Sequence, residues 1–315
     1  MSGGTTFSSL INGQNNPGAL NIEFDLPISA QNAPQGNVGI TVWGVGLGMI
    51  GQAANLNGAN FTLTAGMKPG LPLATAAAPQ AGIVCAGTVF SSYGNWQGTD
   101  QSLTIIGQAG AQGLDQNVSF NWIAGQTLAS AIAATLSQAF PGYKQVINIA
   151  PLFLPSTEPG LYGTIWQWAG YLNDITKRYG TPIYGPNYPG VMLSVTGNTI
   201  YAYDFTVAQT PKQIAFQDLI GQPTWIKPLT VTFKTVMRSD IGMTDTIQFP
   251  QGVQAPYALT TPASVLGPNS PASSKSIFQG KFFISGIHHY ANFRQADGDS
   301  WCSVFEASPV TLVNT

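Results

Sequence analysis

Residues 82–108 read GIVCAGTVFSSYGNWQGTDQSLTIIGQ. Two runs rich in β-branched and aromatic residues, 82–93 and 103–108, flank a polar stretch at 94–100, GNWQGTD. Branched and aromatic side chains suit a pleated, half-buried surface, and the polar stretch suits a turn, so the segment predicts a strand–turn–strand unit. Upstream, residues 21–28 (NIEFDLPI) and 60–65 (NFTLTA) alternate polar and apolar, and 38–45 (VGITVWGV) is β-branched and aromatic. Short strands punctuated by Gly, Pro and Asn predict an antiparallel sandwich or barrel. Ahead of them, residues 1–20 carry Gly3, Gly4, Asn12, Gly13, Asn15, Asn16, Pro17 and Gly18 with few apolar anchors, and read as a flexible arm.

The period changes near Asn121. Residues 126–140 (QTLASAIAATLSQAF) place Leu128, Ile132, Leu136 and Phe140 four apart, an amphipathic helix stopped by Pro141-Gly142. Residues 146–149 read as a strand. A second helix is expected over 163–179, with an apolar face through Ile165, Trp168, Leu172 and Ile175, and Lys177 and Arg178 in its last turn before Gly180. From Val191 strands return: 192–195 and 200–205 around Thr196-Gly197-Asn198-Thr199, a hairpin signal; 229–237 (LTVTFKTVM) with Leu229, Val231, Phe233 and Thr235 on one face; and 278–290 with 301–307. Residues 261–274 form a Pro/Ser loop. The expected fold is mainly β with an α/β insertion: an arm over 1–20, a first antiparallel β-barrel-like domain over 21–120, a helix-containing segment over 121–190 and a second β-barrel-like domain over 191–315. A faint repeat links the two β regions, since Gly87–Asp100 and Gly286–Asp299 have equal spacing and both run from strand to turn to strand.

Charged residues are 8% of the 315, against about 25% in an ordinary soluble domain. Eleven Lys and Arg against thirteen Asp and Glu leave a net charge of −2, too little cation for a phosphate-driven nucleic-acid binder. With 44% hydrophobic residues the chain is not a charge-driven disordered one. No window reaches the run of about 18 apolar residues that a membrane helix needs, and the start, MSGGTTFSSLINGQ, lacks the basic and apolar regions of a signal peptide. Cys85 and Cys302 read as reduced structural thiols. From Leu26 to Thr99 the only charge is Lys68. Interface cores are depleted in charge, so such a surface predicts a subunit largely covered by partners.

The motifs that carry chemistry dissolve on inspection. Gly46-x-Gly48-x-x-Gly51 has the form of a dinucleotide fingerprint, but no Asp or Glu occurs between Asp25 and Asp100 to hold a ribose, and 51–58 (GQAANLNG) cannot supply the crossover helix. The glycines are expected at a sharp turn or a close backbone approach. His288 and His289, the only histidines, point to opposite faces of a strand. One is expected to pack and the other to be solvated or at an interface, and with two distant cysteines they supply no zinc site. Asp297-Gly298-Asp299 lacks further acidic ligands for calcium. Glu23 with Asp25, and Asp240 with Asp245, are near carboxylate pairs whose separation the sequence does not set. Trp166, Trp168 and Tyr171 read as core before they read as a sugar platform. No catalytic, cofactor-binding or metal-ligating residue is assigned, and neither an enzyme activity nor a cofactor is expected.

Four segments resemble the baseplate central hub proteins of contractile-tailed phages, related to late-control D proteins and the hub part of secretion-system spikes. They are VGITVWGVGLGMIGQAANLNGANFTLTAGM (38–67), GIVCAGTVFSSYGNWQGTDQSLTIIG (82–107), FNWIAGQTLASAIAATLSQAFPG (120–142) and GKFFISGIHHYANFRQADGDSWCSVFEA (280–307). In the last, His288 or His289 and Trp301 take the places of a late strand's terminal His and the Trp at which the next strand begins. The resemblance covers roughly residues 20–310 and departs at the Pro/Ser loop. It implies a homotrimeric ring in the virion baseplate, two similar β-barrels per subunit, assembled in the host cytoplasm. Six quasi-equivalent barrels would surround a channel for the viral DNA, with hexameric tail-tube proteins on one face, a trimeric spike on the other and wedge proteins as further partners. The arm at 1–18 and the loop at 261–274 are expected to order on assembly. Other readings are a distal-tail or wedge protein, a carbohydrate-binding β-module using Trp96 or the Trp166/Trp168 pair, and a tail-lysozyme enzyme.

Overall fold

The computed structural model describes residues 4–28, 35–67, 80–110, 117–154, 156–186, 188–196, 199–207, 210–227, 230–250, 278, 280–295 and 297–310. The 261–274 loop, Lys68, Leu229 and the 197–198 hairpin tip lie outside them.

The arm makes a minimal hairpin, β1 (Leu10–Ile11) with β2 (Gln14–Asn15), turned through Asn12 and Gly13 at φ 51° and 73°. A first β region follows: β3 (Asn21–Ile28), β4 (Gln35–Trp43), a five-residue helix α1 (Leu47–Gly51), β5 (Asn60–Ala65), β6 (Gly82–Gln97) and β7 (Asp100–Gly110). The middle segment holds β8 (Val118–Trp122), α2 (Leu128–Ala139), β9 (Lys144–Asn148), β10 (Glu158–Tyr162), α3 (Ile165–Tyr184), β11 (Met192–Thr196) and β12 (Thr199–Tyr203). The chain ends in β13 (Lys212–Gln213), β14 (Thr224–Lys227), β15 (Thr230–Val236), β16 (Thr246–Gln248), β17 (Lys281–Asn292) and β18 (Trp301–Pro309).

The fold is mainly β with a small helical part, as expected. The barrel-like units take another form: the strands of both β regions join in one eleven-stranded sheet, ordered β14-β15-β18-β17-β3-β4-β7-β6-β5, with β16 beside β17 and β13 beside β16. Among the described residues neither half closes on itself. The reason is the pairing of β17 with β3 over Ile287–Asn292 and Glu23–Ile28, which zips the halves edge to edge. One apolar core serves both, with Leu26, Val38 and Leu103 from the first region and Trp225, Phe233 and Phe305 from the second.

The two halves repeat one topology. Counting β3, β4, β6, β7 and β14, β15, β17, β18 as first to fourth strands, each half has the spatial order third-fourth-second-first. The registers coincide as well. Val89 faces Gly107 as Ile284 faces Ala307, a bulge follows in both, and Ser91 then faces Ile106 as Gly286 faces Glu306. Ile40 faces Ile105 as Phe233 faces Phe305. β5 and β16 occupy equivalent places, with Asn60 opposite Thr88 and Thr246 opposite Phe283. The duplicated unit read from sequence is therefore present in topology but in a different register. Gly286 stands where Ser91 does, not where Gly87 does, so the matching glycine spacing was coincidental.

The helices pack on a second core built from Phe120, Trp122, Leu128, Ile132, Leu136, Trp168 and Leu172. Thr127 caps α2 by accepting from the Ser130 N–H at 3.3 Å, and Thr164 caps α3 by accepting from the Gln167 N–H at 3.2 Å. The hairpin β11–β12, grouped by sequence with the second β region, packs here instead: Leu193, Ile200 and Ala202 are buried in this core, and β12 runs parallel to β9. A parallel pair needs a crossover, and α3 lies in that connection. α3 also runs past its expected end to Tyr184 and stops at Gly185, φ 96°. Gly180 is thus a packing residue, since a Cβ there would lie 2.2 Å from Cε1 of the buried Tyr188. Gly180→Ala gains about 1 kcal/mol of helix propensity, but it forces that ring aside. A net loss of about 1–2 kcal/mol is expected in urea unfolding; a stabilised variant would contradict this packing role.

Candidate assembly surface

The seam between the halves shows how this sheet extends. On its core side Leu26 faces His289 and Phe24 faces Ala291 across β3 and β17, all buried. On the outer side His288 pairs with Asp25. The two histidines divide as expected, one packed and one on the surface. His289 is 2% exposed, and its Nδ1 shares a hydrogen bond with Ser303 Oγ at 2.8 Å.

Burial, with a smaller contribution from the neighbouring His288, lowers the His289 pKa to about 4. The folded protein therefore keeps this ring neutral while the unfolded chain takes up a proton near pH 6.5. Stability from this residue is complete above about pH 6.5 and falls as the pH drops towards 4, by about 3 kcal/mol in all. Urea midpoints between pH 7 and 4.5 should drop less in His289→Phe than in the parent. Equal slopes would remove His289 as the cause.

The same sheet ends in two edges. β14 has β15 on one side and no strand on the other among the described residues. β5 covers β6 only as far as Thr88, so no described strand pairs with that edge from Phe90 to Gln97. Natural sheets guard edges with charge, proline or a covering element. Residues 90–97 contain neither charge nor proline. Exposed apolar side chains gather there: Phe90 in the bulge at 66%, Tyr93 at 53%, and Ile106 opposite Ser91 at 37%. At the far edge Ile226 is also exposed.

A second feature, which sequence reading did not single out, lies in the core. Arg238 donates from Nη1 to Asp218 Oδ2 at 2.9 Å, and from Nε and Nη2 to Asp240 at 2.9 and 2.6 Å. Gln80 Nε2 donates to Asp218 Oδ1 at 3.3 Å. Residues 80, 218 and the pair 238/240 are far apart in sequence, and no spacing rule links them.

The remaining candidates have structural explanations. Gly46, Gly48 and Gly51 lie at the start of and within α1 and approach nothing within 4 Å; the sharp turn belongs to Gly44, φ 84°. The expected close approach at the three glycines is therefore corrected. Asp297 closes its own turn by accepting from the Asp299 N–H at 2.9 Å, and Asp299 pairs with Lys234 at 2.8 Å. Asp240 is held by Arg238 and Asp245 by Lys212 at 2.6 Å, while Glu23 accepts from Asn21 Nδ2 at 3.2 Å. Trp168 is fully buried and Trp166 is 46% exposed; Tyr171 donates to Glu158 at 3.2 Å. Trp96 is exposed at the hairpin end, its Nε1–H on the Gly98 carbonyl at 2.8 Å. Cys85 and Cys302 are free, buried thiols, and burial pushes Cys85 up to about 12. Among the described residues no group of three or more His, Cys, Asp or Glu could hold a metal, and no helix is long and apolar enough to cross a membrane. In the arm, Phe7 packs on the first core beside a cavity of about 400 Å³ lined by Ile22, Ile40, Val42 and Phe61.

The geometry is that of a duplicated open sheet with two edges that no described strand pairs. No protein-family model matches the chain, and no curated protein matches it. Solved structures do. An E. coli component of the type VI secretion system, described as structurally similar to the T4 bacteriophage tail proteins gp27 and gp5, superposes with a TM-score of 0.53 at 10% identity, over 92% of this chain and 73% of that one. A tail protein from Neisseria meningitidis MC58 gives 0.51 at 10% identity, over 93% and 97%. The fold is one found in phage tail and secretion-system tail proteins.

Proposed function

We propose that the chain is a structural protein of a phage-type tail, the central hub of a baseplate. Three copies form a ring that matches the hexameric tail tube to a trimeric spike and surrounds the genome channel. The observation that carries this reading is the tandem sheet. Two units of identical topology are joined edge to edge within one chain, and the outermost strands offer the same two kinds of edge again. A contact that repeats head to tail closes into a ring when its rotation allows, and three chains of two units give six quasi-equivalent positions. The scarcity of charge and the likeness in fold to phage and secretion-system tail proteins support the same reading. The reading is of association through backbone edges and apolar surface, with no bond-making chemistry.

Light scattering coupled to gel filtration tests it. The expected result is a threefold mass that appears with rising concentration, and threefold averages in electron images of tails. A mass that stays at one chain at high concentration, or six copies per tail, would overturn the hub assignment.

A further inference from the structure

The repeated registers specify the contact between copies residue by residue. β14 holds the place in the second unit that β3 holds in the first. Thr224 faces Thr232 on β15 as Asp25 faces Gly39 on β4, and Thr232 and Gly39 face the equivalent residues Glu306 and Ile106. β6 holds the place of β17, as the shared bulge and the shared pairing with β7 and β18 fix. Within the chain β3 adds to β17 with Asp25 opposite Tyr290 and Leu26 opposite His289. Carrying that pairing over, Tyr290 becomes Asn95 and His289 becomes Gly94.

We infer that β14 of one copy adds, antiparallel, to the uncovered part of β6 in the next, with Thr224 opposite Asn95 and Trp225 opposite Gly94. The inference rests on the ring reading and deepens it, naming the partner as a second copy and fixing its register. Three features of the molecule agree with it. β5 stops short of this part of β6, as β16 stops short of the part of β17 that receives β3. The receiving edge is uncharged, and the incoming segment TWIK brings one cation at its end. The bulged Ile226 of β14 arrives beside Tyr93, so two exposed apolar side chains cover each other.

The test is a cysteine pair in the full chain, Asn95→Cys with Thr224→Cys, oxidised mildly and run without reductant. The native thiols are buried and serve as background. Directly opposed strand positions meet the Cα separation a disulfide needs, whereas positions two steps out do not, so the matched pair should give about tenfold more linked chains than Asn95→Cys with Gln222→Cys. The single variants show by their elution that each substitution folds. Threefold mass with no 95–224 linkage overturns the register and leaves the ring intact. Preferential linkage of the shifted pair does the same and supplies the true register. A single-chain mass with no linkage overturns the ring reading and this inference with it.

Discussion

Replacing Arg238 by leucine is expected to cost about 3–5 kcal/mol, the penalty for leaving a buried ion without its partner. Arg238 is 4% exposed and Asp218 is fully buried. Its guanidinium spans two carboxylates, bidentate on Asp240 and single on Asp218, a planar fork that lysine could not reproduce. The cluster also joins distant parts of the chain. Gln80 enters β6, Asp218 closes a short turn before β14, and Arg238 follows β15, with its own backbone N–H held by Ser303 of β18 at 3.0 Å. Losing the cation leaves the Asp218 carboxyl group inside the shared core without the Arg238 charge that balances it. Removing both members, as Arg238→Leu with Asp218→Leu, should recover part of the loss, because two apolar side chains replace the fully desolvated pair, while Asp240, 17% exposed, is left to find water. Urea midpoints of the single and double variants decide it. A single-variant loss under about 1 kcal/mol would mean that water reaches Asp218.

Much of the fold could be read from the residues because it depends on local pattern. NFTLTA alternates, and β5 is alternately exposed and covered as that pattern requires. The stripe Leu128, Ile132, Leu136 and Phe140 is buried. Where reading failed, distant contacts had overridden local signals. Gly180 looks like a helix stop, but the ring of Tyr188 claims the space its missing side chain leaves. Residues 94–97 look like a turn, yet backbone pairing carries β6 to Gln97, and the turn narrows around Gly98 at φ 59°. The duplication hid for a related reason. Equivalent positions hold Ile40 and Phe233, Leu103 and Ser303, Gly94 and His289. What repeats is strand order, register and a bulge, and these are backbone properties that many side chains satisfy. The open edges of the sheet were invisible until the order of strands was known, though the long stretch from Leu26 to Thr99, charged only at Lys68, already marked the region that contains one of them.

In the helical core the corresponding buried acid is Asp204, and Asp204→Ala is expected to destabilise by about 4 kcal/mol. Its side chain is fully buried, and four donors converge on it. The Ala150 N–H lies at 2.8 Å and the Tyr188 hydroxyl at 3.0 Å, both on Oδ2, while the Thr206 N–H and hydroxyl reach Oδ1 at 3.1 and 2.6 Å. Through these bonds one carboxylate ties the exit of β9, the exit of β12 and the loop after α3. Alanine strands the Ala150 and Tyr188 donors away from water, at about 1–3 kcal/mol each, whereas Thr206 is partly exposed and can turn to solvent. Asparagine keeps one acceptor oxygen but aims its amide at a donor, so Asp204→Asn should fall between alanine and the parent. Tyr188→Phe in the alanine background removes one stranded donor and should restore about 1 kcal/mol, a coupling that a simple cavity would not produce. If the two substitutions were additive, the carboxylate would be filling space rather than binding donors.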